Sequence, residues 1–290
     1  MHPAPSVILF STLSGLGLGF LAFLGWGVLV PSGWAAFFLW GLGYGLAVAG
    51  LMASTFHLGN PKNALKAFTQ WRTSWLSREA WASVVTLVLL APVALSDIFG
   101  LGLPRVVGQI GGALAILTVF TTAMIYTQIK AVPRWHHWLT PVMFLGFALA
   151  GGATLCGMRV APVLLLAVGA ILGAVWRVGD RAFARAGQTM GTATGLDRLG
   201  VPSVLDPAHT AGNYLKREMI FVVGRKHAAK LRGIALVLAS ALPAVIVLLP
   251  LGVFGIALAA VLHLGGALVA RWLFFAQAEH VVGLYYGARG

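Results

Sequence analysis

A histidine and a glutamate, His57 and Glu79, are the residues of this sequence best placed for chemistry at a membrane surface. His57 closes the second long apolar run, and Glu79 opens the third. Ionisable groups at membrane depth are costly and usually functional. An imidazole that titrates near neutral pH can hydrogen-bond a quinone carbonyl, and a carboxylate beside it can pass protons to water. The pair therefore predicts a quinone site with a proton route.

Tryptophans surround this pair in the sequence: Trp71, Trp75 and Trp81. They could wall a redox site, or they could belong to the aromatic belt that membrane proteins place at the bilayer interface. Glu79 also has an alternative interpretation. It could be a carboxylate near a helix N-terminus, favoured by the helix dipole, with Ser77 as the N-cap.

A second candidate group contains Tyr126, followed by the loop from Lys130 to Leu139 with Trp135, His136 and His137. Adjacent histidines on a loop are more often solvated than ligating, and the spacing of a metal site is absent.

Haem binding is not expected from the histidines of the apolar runs. A haem held by two histidines needs both inside the bilayer on facing helices. Only His263 lies near the middle of an apolar run, so we expect it to hydrogen-bond a neighbouring helix. One haem with an unusual second ligand stays open as an alternative.

The composition determines which elements must position these residues. Of the 290 residues, 59% are hydrophobic and only 9% are charged, which indicates an integral membrane protein. The single cysteine, Cys156, excludes internal disulfides and cysteine-ligated iron–sulfur clusters. A net charge of +13 does not indicate nucleic-acid binding here, because the basic residues lie in short blocks between the apolar runs.

We predict an all-α integral membrane protein in which residues 1–290 form one membrane-anchor domain. A span needs about 20 mostly apolar residues. Eight runs meet this requirement: about 6–30, 34–57, 80–101, 106–129, 140–157, 161–180, 233–252 and 254–276. The first run is expected to be retained, because no positive region or early cleavage site precedes it. Glycines at small-xxx-small spacing are expected to pack these helices closely: Gly15/Gly19, Gly41/Gly45, Gly108/Gly112 and Gly169/Gly173.

The basic residues predict the orientation of the chain. Of the 20 lysines and arginines, all except Arg105 and Arg159 fall on one side of the predicted spans, including Arg271 and Arg289 near the C-terminus. By the positive-inside rule, that side is cytoplasmic, and it holds both termini and the His57–Glu79 loop.

The longest loop, 181–232, is large enough to contact a soluble partner. Residues 187–207 are expected to be irregular, and Tyr214–His227 to form an interfacial helix with its cations toward headgroups or an acidic partner. The alternative is that these charges only fix the topology.

The run His57-Leu58-Gly59-x-Pro61, followed by Ser74-Trp75-Leu76-Ser77-Arg78-Glu79, resembles the membrane-anchor subunit family of dimethyl sulfoxide reductase. The resemblance covers nearly the whole chain in order. Its further motifs are Thr122–Tyr126, Trp135-His136, Leu139–Pro141, His209-Thr210, Asn213–Leu215, Glu218-Met219 and Arg225–Ala228.

This resemblance implies an anchor of eight helices in a heterotrimeric molybdenum oxidoreductase of a bacterial inner membrane. A catalytic partner would carry the molybdopterin cofactor, and a second partner would carry the iron–sulfur clusters. The anchor itself would exchange electrons with quinone, either ubiquinone or menaquinone.

The resemblance also assigns roles to residues. In the family, the histidine of the first motif and the glutamate of the second are linked to quinol binding and oxidation, and these fall on His57 and Glu79. The implied quinone pocket contains His57, Pro61, Trp71, Trp75, Ser77, Arg78, Glu79, Tyr126, Trp135 and His136. Asn63 departs from relatives that place a basic residue after the proline.

The family contains reductases and an oxidising branch, the cytoplasmic sulfite dehydrogenases. Because the motif loops are predicted to lie inside, the partners should lie on the cytoplasmic side, which favours electron flow from sulfite to quinone. The alternatives are the anchor of a dimethyl sulfoxide-type reductase that oxidises quinol, a purely structural anchor, and a small-solute transporter.

Overall fold

The computed structural model describes residues 2–57, 61–203 and 227–286, and within these ranges it contains only helices, turns and loops. The side chains of residues 57, 61–64 and 286 are outside the description. The helices are α1 Pro5–Gly25, α2 Gly33–Ala53, α3 Trp75–Phe99, α4 Arg105–Thr127, α5 Leu139–Leu155, α6 Ala161–Arg185, α7 Met190–Thr194, α8 Ala228–Ile246 and α9 Gly252–Ala276. Short 3₁₀ turns cover Ser54–His57, Pro61–Phe68, Leu196–Arg198 and Val281–Tyr286.

The long helices confirm the predicted all-helical membrane class. Seven of the described helices are long and apolar enough to cross a membrane, namely α1, α2, α3, α4, α6, α8 and α9. Helix α5 is equally apolar but has only 17 residues.

Several helices begin or end away from the predicted spans. Helix α3 begins at Trp75 rather than near residue 80, because Ser74 is its N-cap and accepts a hydrogen bond from the Ser77 backbone N–H at 3.5 Å. Ser77 is therefore not the cap. Helix α6 continues to Arg185, and α8 occupies 228–246 rather than 233–252. Apolar runs mark the lipid-facing length, whereas helices continue through polar turns until a cap or a proline stops them.

The long loop after α6 is more regular than predicted over the part that the structure describes. Helix α7 and the Leu196–Arg198 turn lie within residues 187–207, where irregular chain was expected. Thr189 closes a capping box with Thr192, which explains this short helix. The predicted interfacial helix Tyr214–His227 falls almost wholly outside the described residues, which resume at residue 227.

Helix α1 lies at the centre of the bundle and contacts α2, α4, α5 and α9. A side chain at Gly19 would meet the Ala148 backbone of α5, and one at Gly108 of α4 would meet the Gly25 backbone. These two glycines therefore pack helices as predicted. Gly15, Gly41, Gly45 and Gly173 do not, since no atom lies within 4 Å of an added Cβ there.

Helix α8 contains a π turn over Val237–Ala241. The carbonyl of Ala239 lacks its α-helical donor, because residue 243 is a proline. The His263 Nδ1 atom of α9 lies 2.7 Å from this oxygen and supplies a hydrogen bond, while Nε2 lies 3.3 Å from the Phe147 carbonyl oxygen. The predicted helix–helix hydrogen bond of His263 is confirmed.

Candidate functional site

Glu79 is buried between α3 and α4, with 4% of its surface exposed. The Thr122 hydroxyl donates a hydrogen bond to its Oε1 atom at 2.5 Å. The same interface holds a second polar contact, between Thr86, two turns after Glu79 on α3, and Thr118 of α4. Their hydroxyl oxygens lie 3.2 Å apart. A buried carboxyl group with a neutral partner can accept and release a proton, which a carboxylate locked in an ion pair does less readily.

The loop between the second and third spans folds onto the first turns of α3. The Ser77 hydroxyl donates to the Ala67 carbonyl oxygen and accepts from the Gln70 backbone N–H at 3.3 Å. Trp81 donates its indole N–H to the Phe68 carbonyl oxygen at 3.0 Å. These bonds place the loop directly beside the helix that carries Glu79.

Arg78 holds the same loop from its outer side. Its Nε and Nη2 atoms donate to the carbonyl oxygens of Trp71 and Arg72 at 3.0 and 2.6 Å, and its guanidinium lies 4.3 Å from the centre of the Trp75 ring. Trp71 is 55% exposed and Trp81 is 48% exposed. This exposure is what the aromatic-belt alternative predicts for both tryptophans.

The other half of the predicted pair, His57, lies at the end of the Ser54–His57 turn that prolongs α2. This turn packs beside α1. The side chains of His57 and Pro61 lie outside the description, so their placement relative to Glu79 stays a prediction.

Tyr126 and Trp135 are brought together in a buried aromatic cluster with Phe144, Phe274 and Phe275. The Tyr126 ring centre lies 5.5 to 5.7 Å from each of the other four. Trp135 donates its indole N–H to the Phe274 carbonyl oxygen at 2.9 Å. Trp135 thus fixes the α4–α5 loop to the end of α9.

His136 and His137 have separate roles in the loop. His136 is exposed, and its Nδ1 lies 2.7 Å from the Thr127 carbonyl oxygen. The His137 Nδ1 accepts from the Leu139 backbone N–H at 3.2 Å at the start of α5. Burial, together with the charges of Arg185 and His136, lowers the pKa of His137, which favours this neutral acceptor form. Among the described residues, no three histidine, cysteine or acidic side chains are grouped to hold a metal.

Arg271 is a buried residue for which the sequence predicts only a role in membrane topology. It is 3% exposed on α9, and its guanidinium lies 3.4 Å from the centre of the Phe144 ring. Within the described ranges, its Nη1 atom has no hydrogen-bond partner. The Tyr126 ring also packs on Phe144, with the two ring centres 5.7 Å apart. The sequence carries one signal of this burial, because Arg271 lies inside an apolar run rather than after it.

Glu79 and Arg271 lie at a similar depth below the same face of the bundle. Glu79 and Thr122 lie four and five residues from the nearest ends of their helices, and Arg271 lies five residues before the end of α9. At about 1.5 Å per residue, these distances correspond to roughly 6–8 Å. We call Glu79, Thr122, Tyr126 and Arg271 the polar layer.

Two aspartates near helix ends form ion pairs rather than joining this layer. Asp97 accepts from both Nη atoms of Arg105, at 2.6 and 3.2 Å, at the opposite face of the bundle. Asp180 accepts from Arg134 at 2.5 Å and from Arg232 at 2.6 Å, which ties the α4–α5 loop to α6 and α8. Burial lowers the pKa of Arg134, and Asp180 opposes this effect.

Comparison with known proteins gives two matches. The sequence profile described as DMSO reductase anchor subunit (DmsC) matches residues 33–171. A sulfite dehydrogenase subunit from Allochromatium vinosum is 30% identical to this chain, and the alignment covers 99% of each protein. No solved structure gives a significant match.

Proposed function

We propose that this chain, which belongs to the family of DMSO reductase anchor subunits, exchanges electrons between a soluble partner and membrane quinone. The chain is a multi-pass membrane protein and an anchor subunit of a complex of the DMSO reductase or sulfite dehydrogenase type. Further subunits belong to such a complex. The proposed role of this anchor is electron exchange with quinone.

The observation that carries the proposal is the buried carboxyl group of Glu79 with its Thr122 partner. Reduction of a quinone to a quinol consumes two electrons and two protons. The electrons come from the partner, and the protons must come from water through groups that can release them. Glu79 lies beneath the loop, four residues from the start of α3, where it can relay a proton to the reduced headgroup. His57 is the proposed hydrogen-bond donor to one quinone carbonyl.

The proposed electron donor is sulfite. Sulfite and water yield sulfate, two protons and two electrons at a molybdopterin catalytic partner, and an iron–sulfur partner conducts the electrons to this chain. The name of the similar protein from Allochromatium vinosum supports this direction. The distribution of lysine and arginine supports a cytoplasmic location for the partners. The match to the DMSO reductase profile favours the second candidate, in which the same site oxidises quinol.

The test is purification of the tagged chain with its partners from native membranes, followed by a sulfite-dependent quinone reduction assay. The wild-type complex should contain molybdenum and iron and reduce quinone. Glu79→Gln keeps the shape of the side chain but removes its proton exchange. We expect it to lower kcat by about 100-fold, the usual contribution of general acid–base catalysis, without loss of the metals.

Asp197→Asn makes the same carboxylate-to-amide change on an exposed turn and should leave kcat unchanged. If Glu79→Gln retains full turnover, the relay role is wrong. A chain that purifies without molybdenum and iron would contradict the proposed partners. Quinol-dependent reduction of a sulfoxide, without sulfite oxidation, would reverse the direction of electron flow.

A further inference from the structure

Arg271 is a buried cation without an anionic partner among the described residues. Its Nη1 atom is completely buried and makes no hydrogen bond to any residue that the structure describes. The guanidinium lies over two phenyl rings, with centres 3.4 Å away for Phe144 and 5.6 Å away for Phe147. Cation–π contacts only partly offset the loss of hydration. A charge at this depth therefore needs a further partner.

Arg271 lines a cleft between α1, α5 and α9. The cleft has a volume of about 10 Å³, which is room for about one oxygen-sized atom. Gly15 of α1 lines it too, and a Cβ added there would meet no atom of another described segment within 4 Å. Further lining residues include Ser11, Thr12, Phe144, Phe147 and His263.

The hydrogen-bonding groups of the cleft favour a ligand that accepts a hydrogen bond. The hydroxyls of Ser11 and Thr12 already donate to the Ile8 carbonyl oxygen, at 3.3 and 2.7 Å. Both ring nitrogens of His263 face carbonyl oxygens. Arg271 is thus the available donor among the described residues of the cleft, and a guanidinium can only donate.

We infer that Arg271 binds a carbonyl oxygen of the quinone headgroup in this cleft. A single oxygen fits the cleft, and the flat ring that carries it lies outside, against the open space at Gly15. A phosphate or carboxylate would bring more oxygens than the cleft can hold. This inference rests on the proposed quinone function and adds a binding residue to it. A bound water has the same acceptor chemistry, and the experiment separates the two.

The experiment measures the binding of short-chain ubiquinone and menaquinone analogues to the purified complex, and then the KM and kcat for the better ligand. Arg271→Gln should raise Kd and KM by about 10-fold or more, because a charge-assisted hydrogen bond is lost, while kcat stays within about 2-fold. Gly15→Leu fills the open space beside the cleft and leaves Arg271 in place, and it should raise Kd similarly.

Matched controls are Gly45→Leu, the same change at an open position on α2, and Arg159→Gln, an exposed arginine at the opposite face. Both should leave Kd unchanged. If Arg271→Gln and Gly15→Leu also leave Kd unchanged in an assembled complex, the cleft holds only water and the inference is wrong. If Glu79→Gln nevertheless lowers kcat in the same assays, the proposed quinone function stands and only the role of Arg271 is wrong.

Discussion

The surroundings of Glu79 and Arg271 distinguish them from the two aspartates that lie near helix ends. Asp97 is paired with Arg105, and Asp180 is shared by two arginines. Glu79 has a threonine hydroxyl for a partner, and Arg271 has aromatic rings. Unpaired ionisable groups in a low-dielectric interior are expensive. The proposed ligand of Arg271 and the proposed proton transfer by Glu79 would account for this cost.

Thr122→Val should test the coupling within the polar layer. It removes the donor to the Glu79 Oε1 atom and leaves a buried oxygen unsatisfied, so we expect a loss of about 1–3 kcal/mol in stability. Turnover should fall less than in Glu79→Gln, because the carboxyl group remains. Thermal unfolding and quinone reduction of the complex measure both effects. Thr127→Val, which removes only a bond to the Ala123 carbonyl within α4, is the control; an equal loss of turnover there would refute the coupling.

At the scale of the elements, the close packing of α1 positions the helices that carry the polar layer. Gly19 and Gly152 bring the backbones of α1 and α5 together, and Gly25 and Gly108 do the same for α1 and α4. Close backbone approach is the main source of helix association in lipid, where burial of apolar surface adds little. The glycines therefore hold both α4 and α5 against α1.

Gly152→Ala should destabilise the bundle by about 1–3 kcal/mol, the usual cost of overpacking. The added methyl group would lie 2.5 Å from the backbone carbonyl of Gly19, which a rigid helix cannot relieve. Thermal unfolding of the purified complex in detergent measures the change. Gly41→Ala, at a position with open space, should be neutral or slightly stabilising. Equal stability of the two variants would contradict the packing assignment.

At the scale of the molecule, the connection of the helices determines which loops share a face. If α5 crosses the membrane with the seven longer helices, both termini and the Trp71 loop lie on one face. Arg159 then lies on the other. The 17 residues of α5 span about 25 Å, slightly less than a hydrocarbon core of about 30 Å. The ion pairs of Asp180 and the aromatic cluster hold its loop at the level of the other helix ends.

Cysteine labelling in spheroplasts tests this topology. In a Cys156→Ala background, Arg159→Cys should react with an impermeant maleimide from outside. Thr69→Cys and Gln188→Cys should react only after the membrane is permeabilised. All three positions are exposed, so burial does not limit the reaction. If Gln188→Cys is labelled from outside, α5 does not cross the membrane. The predicted orientation is then wrong for the residues that follow α5.

The sequence by itself determined the class of the protein, its family and most of its helices. An apolar run of spanning length is poorly soluble in water, and in lipid it must form a helix to satisfy its backbone hydrogen bonds. The composition therefore predicts a helical membrane protein. The motifs around His57 and Glu79 predicted the family and the relay residue. Helix ends were less predictable, because Ser74 and the glycine after Phe99 act through capping geometry rather than through hydropathy.

Only the tertiary structure decided which polar groups share a layer. Arg271 is 192 residues from Glu79 in the sequence, and its position inside an apolar run does not reveal which other polar groups it lies near. Likewise, no local signal separates Trp135, which is buried in the aromatic cluster, from Trp71, which is exposed. Burial and partner choice depend on how the helices pack. That packing follows from backbone contacts between residues far apart in the chain.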